Sequence, residues 1–203
     1  MTQTVKRGGN SNHPEAGSAI AVEPIRRLED IKAIKKLLAD KPRDLALFTV
    51  GINTNLRASD LLQLTVSQVR GLKPMDEITL KERKTGKARR ISLNRACVEA
   101  INAWLKTMPK DMDDNDPLFS GQRGPLTVGT IHGLVKSWCK AINLKGNFGS
   151  HSLRKSFGYH QRVTFGAGLP ELMTIFNHST QKQTLAYLCV QPDEVKSVYE
   201  NQL

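Results

Sequence analysis

Apolar residues recur every three to four positions along most of this chain, and that rhythm breaks once, between residues 78 and 93. Leu28, Ile31, Ile34, Leu37 and Leu38 mark one face of a first helix. Leu45, Leu47, Phe48 and Val50 mark a second, opened by Pro42, which suits a first turn because the N–H it lacks would have no partner there. A third, short helix carries Leu61, Leu62 and Leu64 after Arg57-Ala58-Ser59-Asp60. In the break, Ile78-Thr79-Leu80 and Arg90-Ile91-Ser92-Leu93 flank Lys84-Thr85-Gly86-Lys87, which reads as a β-hairpin with glycine in its turn. Helical spacing resumes at 94–107, and after an acidic loop from Asp111 to Pro117 it returns at 128–141, 152–166, 170–176 and 180–190. The expected class is mainly α with a small antiparallel β-sheet, an α+β fold.

A chain of 203 residues suits one domain that buries about 70% of its unfolded surface without disulfide or metal staples. Residues 1–23 read as a flexible arm: Gly, Ser, Asn and Thr abound there and no periodicity shows. Residues 24–203 read as the domain, ending in a tail at 191–203 where Asp193, Glu194 and Glu200 outweigh Lys196. No run approaches the ~18 apolar residues that cross a bilayer, and the first nine residues lack the apolar core of a secretory signal. Cys97, Cys139 and Cys189 are scattered without a Cys-x-x-Cys pair, which argues against disulfides or a zinc site and for a reducing compartment.

Charge gives the first functional pointer. Thirty Lys and Arg against nineteen Asp and Glu leave +11 and a pI near 9.8, a balance suited to nucleic acid. Between Lys81 and Arg95 stand seven basic residues and one acid, Glu82. Lys87, Arg89 and Arg90 on this hairpin are the expected DNA-binding side chains.

Four polar clusters could carry chemistry. Arg57 stands at a helix N-terminus, where a cation opposes the macrodipole unless an anion is bound. Lys84 lies in the hairpin turn. His151 and Arg154 share one face if they open a helix. His178, in Asn177-His178-Ser179-Thr180, precedes Tyr187 by nine residues. Each alone also reads plainly as a solvated arginine or one paired with Asp60, a basic turn, or a structural histidine beside a half-buried tyrosine. Lys84-Thr85-Gly86 and Ser152-Leu153-Arg154-Lys155 also spell motifs of penicillin-recognising enzymes, but in reversed order and without the context those enzymes need.

Taken in order, Arg57, Lys84, His151-x-x-Arg154, His178 and Tyr187 resemble the catalytic domain of the tyrosine recombinases, the phage integrase family, over residues 45–188. The resemblance implies that Arg57 and Arg154 clamp the two non-bridging oxygens of a DNA phosphate and that Tyr187 attacks phosphorus to give a 3′-phosphotyrosine. It further implies His151 as proton acceptor, Lys84 as general acid, His178 as a phosphate hydrogen-bond donor and Asp60 as support for Arg57. The implied reaction uses no cofactor, neither metal nor ATP. The implied partners are double-stranded DNA and other protomers, monomeric when free and tetrameric on DNA, with no membrane. The implied setting is cytoplasmic, on the nucleoid, in a bacterial, archaeal or phage-encoded system.

Asp60 replaces the family's usual Glu, one methylene shorter. Asn55 and Asn177 replace Gly; asparagine is the next most tolerant residue of the left-handed conformation, so sharp turns are expected to survive. The family's N-terminal core-binding domain is not expected in this chain, and half of a DNA clamp would bind weakly with steep salt dependence. The acidic tail is expected to dock on protein, in cis or onto a neighbouring protomer. The alternatives are type IB topoisomerase-like relaxation and a non-catalytic DNA-binding regulator on the same fold.

Overall fold

The computed structural model describes residues 22–108, 113–122, 124–188, 196 and 199–200. Most of the expected tail at 191–203, and the arm before residue 22, lie outside the described residues.

Among them, helices and one hairpin follow in the expected order. These are α1 (Leu28–Leu37), α2 (Pro42–Asn53), α3 (Ala58–Leu61), α4 (Val66–Val69), β1 (Glu77–Lys81), β2 (Ala88–Ser92) and α5 (Arg95–Leu105). A second, two-residue hairpin, β3 (Ser120–Gly121) with β4 (Gly124–Pro125), precedes α6 (Val128–Ala141), α7 (Ser150–Val163), α8 (Leu169–Phe176) and α9 (Gln181–Leu188). The mainly helical α+β class holds. α4 and the β3–β4 pair were not expected, because elements of two to four residues carry no readable period. α7 begins two residues earlier than the pattern suggested, which brings His151 into its first turn.

The core forms around α2, whose Ala46, Leu47, Phe48 and Val50 are fully buried against α5, α6 and α7. Phe48 meets Trp138 of α6 edge to face, with centroids 5.8 Å apart. α2 and α7 approach so closely that a Cβ on Gly51 would lie 2.6 Å from Leu153 Cδ1. Glycine at 51 therefore sets the separation between the helix that leads to Asn55 and the helix that carries Arg154.

β1 and β2 pair antiparallel from Glu77 with Ser92 to Lys81 with Ala88. A second, smaller core of Leu172, Phe176 and Leu188 holds α8 and α9 on α7, with Tyr187 packed at its edge. Ahead of α1 the chain runs extended along α7. Ile25 is fully buried, its N–H donates to Ser156 Oγ at 2.7 Å, and its carbonyl accepts from His160 Nε2 at 2.9 Å.

Candidate active site

Two asparagines turn the chain where the site is built. Asn55, just past α2, and Asn177, which caps α8, both have φ of 55°. The left-handed turns expected of them are formed.

Arg154 joins these two turns. Its side chain is almost wholly buried; Nη1 donates to the carbonyl of Asn55, and Nη2 donates to the carbonyl of Phe176 at 3.0 Å. The guanidinium also lies 4.9 Å from the centre of the Phe176 ring and 5.4 Å from that of Tyr187. A guanidinium has five N–H donors in a rigid fork. The carbonyl bonds fix its plane, and Nε is buried with no hydrogen-bond partner among the described residues.

Arg57 precedes α3 as its N-cap and meets an anion there, as the dipole argument required. The anion is not Asp60 in the first place but Glu82, whose Oε2 is 2.9 Å from Arg57 Nη1, against 3.7 Å for Asp60 Oδ2. Glu82 is the residue that sequence reasoning missed. It is 1% exposed and accepts from Arg89 Nη1 at 2.8 Å and from Thr85 Oγ1 at 2.7 Å. Burial works to raise its pKa, but the hydrogen bonds from Thr85 and Arg89 and the ion pair with Arg57 outweigh it and hold the carboxyl at about 2.

Arg89 needs correcting. It was expected on the DNA-facing surface, but its side chain is 4% exposed, bonded to Glu82 and, through Nη2, to the carbonyl of Ile175 at 2.8 Å. The guanidinium is committed to tying the hairpin to the end of α8. Lys87 and Arg90 are exposed on the hairpin, Arg90 within 3.5 Å of Glu77.

Lys84 is exposed in the turn between β1 and β2. That turn is held from below on both shoulders. Asp60 Oδ1 accepts from the Arg83 N–H at 2.9 Å, and Thr85 is bonded to Glu82. Asp60, fully buried, thus supports the lysine loop more directly than it supports Arg57.

His151 stands exposed in the first turn of α7. Local desolvation, then the positive charges of Arg154, Arg57, Lys155 and Lys84, lower its pKa. His178 is half-buried, its Nδ1 3.1 Å from the hydroxyl of Thr184 and its ring centroid 5.4 Å from that of Tyr187. Burial, followed by Arg154, Arg57 and Arg89, pushes its pKa down to about 4. Both imidazoles are therefore neutral near pH 7. Burial, and then the positive charges of Arg89 and Arg57, lower the pKa of Arg154, while Glu82 opposes them.

Five segments spread over 130 residues thus bring three guanidiniums, two neutral histidines, a lysine loop and a tyrosine ring to one place. Among the described residues no group of three or more His, Cys, Asp or Glu side chains is placed to hold a metal ion, and no helix is long and apolar enough to cross a membrane.

The family model described as the phage integrase family matches residues 26–194. A probable integrase/recombinase of Bacillus subtilis, YoeC, is 35% identical over 184 residues, which cover 88% of this chain and 96% of that protein. The tyrosine recombinase XerC of Caldanaerobacter subterraneus is 30% identical over 77% of this chain, but only 44% of its own length is spanned. Among solved structures, the XerH site-specific recombinase bound to a palindromic difH substrate, in a post-cleavage complex, superposes with a TM-score of 0.71. That match has 20% identity and covers 90% of this chain and 55% of the other. XerA recombinase gives 0.70 over 91% of this chain and 65% of the other, with 19% identity. These two likenesses speak for the fold.

Proposed function

This chain belongs to the phage integrase family, and from that premise we propose that it is a site-specific recombinase that cuts and rejoins duplex DNA through a covalent tyrosine ester. Tyr187 Oη attacks the scissile phosphorus while its proton passes to His151, the exposed imidazole that is neutral and able to accept it. The P–O5′ bond breaks, the 5′-oxygen takes a proton from the Lys84 ammonium, and the 3′-phosphate remains on the tyrosine. A 5′-hydroxyl of a second strand then reverses the step. One phosphodiester replaces another, so bond energy is conserved and no external energy source is needed.

Arg57 and Arg154 hold the non-bridging oxygens, where preorganised charge is worth about 3–4 kcal/mol per well-placed donor in the transition state. His178 acts as the Nε2–H tautomer: Nδ1 accepts from the Thr184 hydroxyl, leaving Nε2–H to donate to the phosphate. Lys87 and Arg90 supply backbone contacts from the hairpin. The protein acts as a tetramer of protomers on double-stranded DNA, in the cytoplasm on the nucleoid, and is a monomer when free.

The observation that carries this reading is Tyr187 packed over Arg154 and beside His178, 33 and nine positions from them in the chain. The test is trapping on a suicide duplex nicked just beyond the scissile phosphate, in which the short fragment that bears the new 5′-hydroxyl diffuses away after cleavage. A protein–DNA adduct stable to denaturant is expected, and it is lost in Tyr187→Phe. An adduct that persists in that variant overturns the assignment.

A further inference from the structure

His132 has no part in the site as described, yet its ring occupies a place that matters to it. It projects from the second turn of α6 onto Gly149, the N-cap of α7. A Cβ built on Gly149 would lie 2.3 Å from Cε1 and 2.4 Å from Nδ1 of the imidazole, distances no real Cβ shows. Gly149 has φ of −173°, extended backbone open to any residue, so the ring and not the backbone demands glycine here. Gly149 is buried, its N–H donates to Ser152 Oγ at 3.1 Å, and its carbonyl accepts from Ser152 N at 2.9 Å. His151 is two residues on, and Arg154 is one turn further along α7. The helix surface beside the ring is open: a Cβ added at Gly133 would meet nothing within 4 Å, and one at Gly129 only Thr127 Oγ1 at 3.7 Å.

We propose that His132 is a positioning residue for His151, its flat ring seated on Gly149 as a backstop that fixes where α7 begins. The ring and the missing Cβ are a matched pair: although His132 is exposed, neither α7 moving toward α6 nor a methyl group at 149 can take this space unless the imidazole rotates off its seat. The catalytic part of this inference rests on the reading of His151 as proton acceptor. The steric part does not.

A double-substitution cycle tests it. Gly149→Ala is expected to slow single-turnover cleavage of the suicide duplex about tenfold in the native background, and less than about twofold in a His132→Ala background, where the space is free. An equal loss in both backgrounds overturns the matched pair. His132→Phe, which keeps a planar ring, is expected to retain the native rate within about twofold; a loss there as large as that of His132→Ala overturns the backstop in favour of imidazole chemistry. Independently of DNA and of cleavage, the titration of the His151 ring, followed by NMR, is expected to move up toward the ordinary value in His132→Ala, because a loosened helix start lets the imidazole drift from Arg57 and Lys84, whose charges on other elements lower it. An unmoved midpoint overturns the positioning role even if strand cleavage is confirmed, and a moved midpoint supports it even if cleavage is not.

Discussion

Replacing Glu82 by glutamine keeps the shape of the side chain and removes only its charge. The carboxylate lies between Arg57 at 2.9 Å and Arg89 at 2.8 Å, with the Thr85 hydroxyl on the same oxygen that faces Arg57. Its pKa descends from an ordinary 4.5 to about 2, which at 1.36 kcal/mol per pH unit amounts to about 3 kcal/mol of stabilisation by the ionised form. That agrees with the ~3–5 kcal/mol typical of removing one partner from a buried ion pair. Glu82→Gln is therefore expected to destabilise the fold by about 3 kcal/mol at pH 7, a fall in Tm of about 6–12 °C for a chain of this size. Because the folded pKa is depressed, the stabilisation is complete above pH 4.5 and is lost as pH falls toward 2. The difference between native protein and variant, measured by denaturant unfolding, should hold steady from pH 7 to 5 and shrink through pH 4 and 3. A difference under about 1 kcal/mol at pH 7, or one that ignores pH, would refute the argument that two guanidiniums depend on this carboxylate.

Lys84→Ala should slow cleavage of ordinary DNA by about 10²–10³-fold. The rate should recover on a strand carrying sulfur in place of the scissile 5′-oxygen, since a thiol of pKa near ~8.5 leaves without a proton donor; no recovery in single-turnover assays would remove Lys84 from that role. At His178 the linkage has the opposite sign to that of a salt-bridged histidine. Its folded pKa of about 4 lies below the ordinary 6.5, so the unfolded chain takes up a proton that the folded protein refuses. Native protein should lose about 2 kcal/mol between pH 6.5 and 4, after allowance for solvent screening, that His178→Gln does not lose; parallel unfolding curves for the two would contradict this.

The helices and the two asparagine turns were legible because each has a local cause: three-and-four spacing for the former, tolerance of positive φ for the latter. Glu82 and Arg89 were legible in principle. Along β1, Ile78 and Leu80 face inward, and the same alternation carries Glu82 to that side. Along β2, Arg89 shares the buried face with Ile91. An acid and a base continuing the apolar face of one hairpin should have been read as a buried ion pair. The count of basic residues concealed this, because it weighed charge along the chain and not by face. The partner of Arg154 was not legible. Backbone carbonyls at Asn55 and Phe176 are chosen by the way α2, α7 and α8 dock, and no residue type announces them. The same holds for His132, whose only trace in the sequence is a glycine at 149.

The charge count of the assembled site suits the phosphodiester proposed as its substrate. Arg57, Arg89 and Arg154 contribute three positive charges, Asp60 and Glu82 two negative ones, and the two histidines none near neutral pH. One buried positive charge is left unmatched. The lowered pKa of Arg154 follows from the same imbalance, since burial and the two neighbouring guanidiniums outweigh the anions within reach. A phosphodiester carries a single negative charge and settles that imbalance. Arg154 is held in place by its two carbonyl bonds, which together with the bond from Asn55 Nδ2 to the Ile175 carbonyl join the Asn55 and Asn177 turns. A lysine there would have one nitrogen for two carbonyls on different turns and none of the planar fork. The arginine proposed to bind substrate also ties the fold around the site, so the cationic pocket forms only where α2, α7 and α8 have docked. Its charge is then held in place in the free protein, and on the proposed reading none of the binding energy is spent on bringing the guanidinium in.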